Sequence, residues 1–315
     1  MTDPVLLISG ASFKEDERAR LAEAYPATFV DGPDAMSGVP EGQRRAIRAV
    51  AYKGHKPFGG AEMDLFPNLG VIANYGVGYD AIDVAAASAR GIKVTNTPDV
   101  LSDDVADLAV AMLLAQARTM RLGEAHVRSG DWAKKGELPL NRKVSGSTVG
   151  IVGLGRIGRE IADRLAAFKM EIHYHSRSEK ETPGWTYHAD PARLAGAVDF
   201  LVVALVGGSA TEGYVSKEVI DAMGPRGVLV NISRGTTVDE GALLDALEEG
   251  RIGGAGLDVF LNEPNLDPRF LKLENVVLQP HQGSGSVETR RDMALLQLAN
   301  VRAFLEGAAL PTAVN

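Results

Sequence analysis

Short apolar runs alternate with amphipathic stretches along almost the whole chain, the pattern of an α/β protein built on parallel sheets. Val5–Ser9, Ile47–Tyr52, Val71–Asn74 and Ile92–Asn96 read as strands. Between them Glu15–Tyr25 and Ala81–Arg90 read as helices, the second stopping at Gly91 as a C-cap glycine would make it. Thr97-Pro98 closes this first unit.

A long amphipathic run, about Asp103 to Arg128 with Ser102 as N-cap, leads to an irregular polar segment, Gly130–Gly146. A second series of strands follows: Thr148–Val152, Glu171–His175, Phe200–Leu205, Gly227–Ile232, Ala255–Val259 and Val276–Gln279. Leu243, Leu244 and Leu247 form a core stripe between two of them. The last helical pattern, Val287–Leu305, cannot extend this second sheet and is expected to return to the first domain. The reading is two doubly wound α/β domains, the first discontinuous (1–98 with 286–315) and the second spanning 99–285.

With 315 residues the chain is long enough for two domains, and 45% apolar residues can fill both cores. A net charge of -8 argues against nucleic acid as a partner, since phosphate binding needs a basic face. The absence of cysteine excludes disulfides, thiolate catalysis and thiolate metal sites. No apolar run approaches the roughly 20 residues of a membrane span. Val5–Ile8 has no basic region before it, so it reads as a strand and not a signal peptide, and the cytoplasm is the expected compartment.

Gly153-Leu154-Gly155-Arg156-Ile157-Gly158 follows an apolar run and opens a helical pattern, the setting in which GxGxxG binds a dinucleotide. Gly153 permits the tight turn, Gly155 lets the pyrophosphate approach the backbone, and Gly158 lets helix and strand pack closely. The following helix N-terminus turns unpaired N–H groups towards the phosphates. An NAD enzyme usually carries Asp or Glu about 20 residues further on, to accept a bond from the ribose 2′-OH. Here Ser176-Arg177-Ser178 stands in that place. A carboxylate there would repel a 2′-phosphate, whereas two hydroxyls and a guanidinium suit one. NADPH is therefore the expected cofactor, with NADH weaker.

Ligands of doubly wound sheets lie beyond the carboxyl ends of the strands. At those ends stand Ile232-Ser233-Arg234, then Glu263 before Pro264, then His281-Gln282-Gly283-Ser284. Singly, each has a bland reading: a solvated arginine, a turn-shaping glutamate, a structural histidine. Together, beside a nicotinamide, they match carbonyl reduction. His281 can supply the proton to the oxygen, Glu263 can fix its tautomer, and Arg234 can clamp a carboxylate and polarise the neighbouring carbonyl. In the first domain, Gly76 and Gly78 around Val77 allow successive N–H groups to converge as an anion nest. His173 and His175, two apart on a strand, have no acidic cluster beside them, and no metal site is expected.

Asn74-Tyr75-Gly76-Val77-Gly78-Tyr79-Asp80, the 153–158 fingerprint, Asn231-Ile232-Ser233-Arg234-Gly235, Gly256-Leu257-Asp258-Val259 with Glu263-Pro264, and Pro280-His281-Gln282-Gly283-Ser284 resemble, in order and spacing, the D-2-hydroxyacid dehydrogenases. The resemblance covers essentially the whole chain and is greatest to bacterial NADPH-dependent glyoxylate/hydroxypyruvate reductases. It implies a Rossmann cofactor domain inserted into a flavodoxin-like substrate domain, with Arg234, Glu263 and His281 as the catalytic set. It further implies that Tyr75, Gly76, Val77 and Gly78 bind substrate and that Asp258 lies close to the nicotinamide. The segment 103–146, with Trp132 and Leu138, is implied to be the arm of a homodimer. Aromatic 2-keto acids are the alternative substrates. A dinucleotide-sensing protein of the corepressor type is the alternative of another class, opposed by the presence of all three catalytic residue types.

Overall fold

Strands β1 (Leu6–Ser9), β2 (Ala27–Val30), β3 (Ala49–Tyr52), β4 (Val71–Asn74) and β5 (Lys93–Thr95) pair in parallel in the order β2-β1-β3-β4-β5. This is the flavodoxin-like order, with its topological switch between β1 and β3. Every residue of β1, β3 and β4 is buried, as in strands covered on both faces. Leu7, Val50, Tyr52 and Ile72 pack on one face with Met63, Phe66 and Ile82. Leu6, Ile8, Ala49, Ala51, Val71 and Ala73 pack on the other with Leu21 and Val301. Val301 lies in the helix Val287–Glu306, which Ser286 caps by accepting the Thr289 N–H. From the same helix the buried Gln297 amide donates to the carbonyls of Tyr52 (3.1 Å) and Ala73 (2.8 Å), at the ends of β3 and β4.

The structure, a computed structural model, describes residues 3–315, which divide into two units, 3–101 with 286–315, and 102–285. The second unit carries β6 (Thr148–Val152), β7 (Glu171–His175), β8 (Thr186–Tyr187), β9 (Phe200–Val203), β10 (Val228–Asn231), β11 (Gly254–Leu257) and β12 (Val276–Leu278). They form one parallel sheet in the order β12-β11-β10-β9-β6-β7-β8. Counted within the unit this is the Rossmann order, 3-2-1-4-5-6, extended by one strand. Leu243, Leu244 and Leu247 lie on the helix Glu240–Glu248 and are buried against Leu229, Ala255, Leu257 and Phe270. Both domains are thus of the expected parallel-sheet α/β class. Among the described residues no helix is long and apolar enough to cross a membrane.

Several elements depart from the expectation. The run Asp103–Arg128 is not one helix but two, Ser102–Ala117 and Met120–Arg128, separated where Thr119 takes a left-handed backbone at φ 43°. Gly130–Gly146 contains a short helix, Asp131–Lys135. Neither β2 nor β8 stood out in the sequence, because both are short edge strands and neither is fully buried.

Candidate active site

The glycine fingerprint sits where β6 meets β9, at the switch point of the second sheet. Gly153, at φ 101°, donates its N–H to the His175 carbonyl (2.9 Å), and a Cβ on it would lie 2.7 Å from the Ala204 carbonyl oxygen. A Cβ on Gly158 would lie 2.1 Å from the Gly153 oxygen, so helix Arg156–Ala167 reaches the turn only with glycine there. Gly155 differs: a Cβ on it meets no protein atom within 4 Å, although it caps the helix. Space at Gly155 is therefore left open by the protein, at the end where the helix presents its N–H groups. Leu154 is buried, Ile157 half-buried and Arg156 exposed.

Beyond β7 the Ser176 hydroxyl donates to the Ser178 carbonyl (2.6 Å), tightening the turn that carries Arg177. Arg177 is exposed and has no ion-pair partner among the described residues. Beneath the turn, His173 and His175 are buried, not displayed for a ligand. His173 Nδ1 lies 2.9 Å from His188 Nε2, and His175 bridges the His188 carbonyl (2.9 Å) and the Tyr214 hydroxyl (2.7 Å). Burial, with His173 and His175 alongside, holds His188 below the ordinary histidine range.

The loops after β10, β11 and β12 bring the chemical groups together. Asn231 Nδ2 and Thr237 Oγ1 both donate to the Arg234 carbonyl (3.0 and 2.7 Å), and Nη1 of the guanidinium donates to the Ser233 carbonyl (2.8 Å). Ile232 and Ser233 are buried, and the Ser233 hydroxyl donates to the Leu205 carbonyl (2.6 Å). His281 Nδ1 is 2.6 Å from Glu263 Oε2, while Oε1 of Glu263 accepts the Phe260 N–H at 2.9 Å. Asp258 is buried, and its two oxygens accept the amides of Gln282 (2.6 Å) and Gly283 (2.8 Å). Burial raises its carboxyl above the ordinary aspartate value, against the pull of those amides. Its own carbonyl accepts the His281 N–H (2.9 Å), so Asp258 shapes the turn that carries the histidine at φ 54°. Ser284, in the same loop, is half-buried.

In the first unit the loop after β4 is held by its carbonyls. Asn74 Nδ2 donates to the oxygens of Gly76 (3.1 Å) and Gly78 (2.8 Å), and Asn96 Nδ2 to that of Val77 (2.9 Å). Thr97 adds a pair of bonds to Gly76, its hydroxyl oxygen accepting the Gly76 N–H and its own N–H donating to the Gly76 carbonyl, both 3.0 Å. The amides of Val77 and Gly78 have no acceptor among the described residues. Two N–H donors beside the pinned carbonyls of Gly76, Val77 and Gly78 are an arrangement that could hold an anion.

Residues 110–283 match the model of the D-isomer specific 2-hydroxyacid dehydrogenase NAD-binding domain. The chain belongs to the D-isomer specific 2-hydroxyacid dehydrogenases. It is 47% identical over 272 residues to the hydroxyphenylpyruvate reductase of Plectranthus scutellarioides, covering 86% of this chain and 87% of that one. Identity to a glyoxylate/hydroxypyruvate reductase of Arabidopsis thaliana is also 47%, over 277 residues and 87% of each chain. Among solved structures, the NADPH-dependent glyoxylate/hydroxypyruvate reductase of Sinorhizobium meliloti, in complex with NADP and malonate, superposes with a TM-score of 0.93 at 42% identity, covering 99% of this chain and 97% of that one.

This dehydrogenase is accordingly an NAD(P)-dependent enzyme, and its residues fit the cofactor: the open space at Gly155 faces a helix N-terminus, and glycine is required on either side of it. Asn96 and Thr97, which hold this loop together with Asn74, carry no mark of that role in the sequence. Asn96-Thr97 follows β5, and its pairing with Val77 across 19 residues depends on β4 and β5 being neighbours. The signal that exists is the polar Asn-Thr pair at a strand end, but spacing does not say which loop it serves.

Proposed function

We propose that this dehydrogenase reduces small 2-keto acids, glyoxylate and hydroxypyruvate foremost, to 2-hydroxy acids with NADPH. The observation that carries the reading is the Glu263–His281 pair, held at 2.6 Å at the strand ends that also carry Arg234. When bound, the nicotinamide supplies a hydride to the carbonyl carbon. His281 gives the proton to the developing alkoxide, and Glu263 holds the ring with its Nδ1 occupied, leaving Nε2 as the donor atom. Arg234 pairs with the substrate carboxylate and polarises the carbonyl. The Val77 and Gly78 amides serve the carboxylate as nest donors.

Preference for NADPH is supported by Arg177, an exposed guanidinium with no partner where NAD enzymes carry an acid. It is in keeping with the Sinorhizobium relative being named NADPH-dependent. A second reading, reduction of aromatic 2-keto acids, is favoured by the Plectranthus relative, whose identity equals that of the Arabidopsis one. We further propose a homodimer, because Trp132, Leu138 and Leu140 on the segment after Arg128 are exposed, Leu140 completely. Light scattering at micromolar concentration should then give twice the 33.4 kDa chain mass. The deciding experiment for substrate is a panel of glyoxylate, hydroxypyruvate, pyruvate and phenylpyruvate, each with NADPH and NADH. Highest kcat/KM for phenylpyruvate would replace the first reading with the second, and no turnover of any of the four would remove both.

A further inference from the structure

Lys53, the residue after β3, is buried together with Glu17 at the switch point of the first sheet. Its ammonium lies 2.8 and 2.6 Å from the two carboxylate oxygens, and Glu17 Oε2 also accepts the Lys14 N–H (2.8 Å). The same ammonium stands 4.3 Å from the ring centroid of Tyr75 and 5.5 Å from that of Phe13. Tyr75 is the residue immediately before the nest. Its N–H donates to the Tyr52 carbonyl (2.8 Å), its hydroxyl to the Arg290 carbonyl (2.9 Å), and its ring meets Phe13 edge-on. The side chain of Tyr75 is therefore occupied within its own unit.

Stability alone does not account for such a pair. Removing an ammonium and a carboxylate from water costs about what their attraction returns, and apolar residues of like volume do as well or better. What an ion pair adds is direction: with both oxygens engaged, the ammonium has one place to be, and the Tyr75 ring lies on it. We propose that the Lys53–Glu17 pair is a positioning element for the substrate loop, setting Tyr75 and through it the donor direction of the Val77 and Gly78 amides. Neither residue touches substrate in this account; their charges neutralise each other. The inference rests on the nest reading given above.

The test is the full-length double variant Lys53→Met/Glu17→Gln, which keeps both stems and removes both charges, beside Lys53→Arg, which keeps the pairing. The double variant should unfold cooperatively and bind NADPH as wild type does. Its KM for glyoxylate and its Ki for oxamate, an unreactive analogue with the same carboxylate, should both rise about ten- to a hundredfold, with kcat falling far less. Amide hydrogen exchange in a peptide covering 74–79 should quicken, and Lys53→Arg should restore most of both effects. Should the double variant not fold, Tyr75→Leu leaves the ion pair in place, removes the ring, and should move the same readouts. A folded variant with wild-type KM, Ki and exchange would overturn the proposal. If wild type itself reduces no 2-keto acid, the functional reading fails, whereas exchange at 74–79 still decides the role of Lys53.

Discussion

Glu263 Oε2 meets His281 Nδ1 at 2.6 Å, and Glu263 Oε1 accepts the Phe260 N–H. The carboxylate is thereby fixed before the histidine meets it, and ring orientation follows from the β11 loop. Because His281 has φ 54°, asparagine is a better-tolerated replacement than alanine. His281→Asn should lower kcat about a hundred- to ten-thousandfold with little change in the Kd for NADPH. Glu263→Gln, which keeps a hydrogen-bonding group, should lower kcat less. Near-native turnover in His281→Asn would move the proton donor elsewhere.

Arg177→Ala should separate the two cofactors. A charge-assisted contact to phosphate is worth about 1.5–3 kcal/mol, so Kd for NADPH should rise about ten- to a hundredfold. Kd for NADH should stay within about twofold, since its ribose offers no 2′-phosphate. Fluorescence titration of both cofactors reads the ratio, and equal losses would show that Arg177 does not read that group.

The two fingerprint glycines should fail in different ways. Gly158→Ala drives a Cβ to 2.1 Å from the Gly153 oxygen, a backbone atom, and should lower stability by about 1–3 kcal/mol as well as weaken cofactor binding. Gly155→Ala meets no protein atom within 4 Å and has an ordinary extended φ of -86°. It should melt as wild type does and still lose NADPH affinity, because its methyl enters space kept for the pyrophosphate. Wild-type binding by a stable Gly155→Ala protein would place the phosphates elsewhere.

Stability in acid should report the Lys53–Glu17 pair. Burial opposes ionisation of Glu17, but the bonds from Lys53 and Lys14 outweigh it and hold the carboxyl below its ordinary value. A carboxyl depressed in the folded state contributes stability that is complete above its unfolded pKa, about 4.3, and is lost as pH falls through the folded value. Thermal unfolding between pH 7 and pH 3 should therefore fall more steeply for wild type than for Lys53→Met/Glu17→Gln. Parallel curves would mean that the pair contributes nothing to folding.

Much of this protein was decided locally and was legible as such. Short apolar runs mark ten of the strands, since a parallel strand buried on both faces is such a run whatever surrounds it. Gly153, Gly155 and Gly158 announce a strand-turn-helix within six residues: backbone geometry demands glycine at Gly153 and Gly158, and Gly155 leaves the space open. Arg234, Glu263 and His281 are legible because each follows a strand, and parallel strands all end on the same edge.

Only the tertiary structure decided which groups meet. The break at Thr119 divides a run that is amphipathic throughout, and periodicity carries no mark of a left-handed residue. Whether His173 and His175 face outwards or are buried against His188 and Tyr214 depends on β8 covering the edge of β7. The nest needs Asn96 beside Val77, Lys53 beside Glu17 across 36 residues, and Tyr75 beside Arg290 across 215. Such pairings follow from the order of strands in a sheet and the helix that returns to it. Sequence spacing cannot express them, because hydrogen-bond partners are set by distance in space and not along the chain.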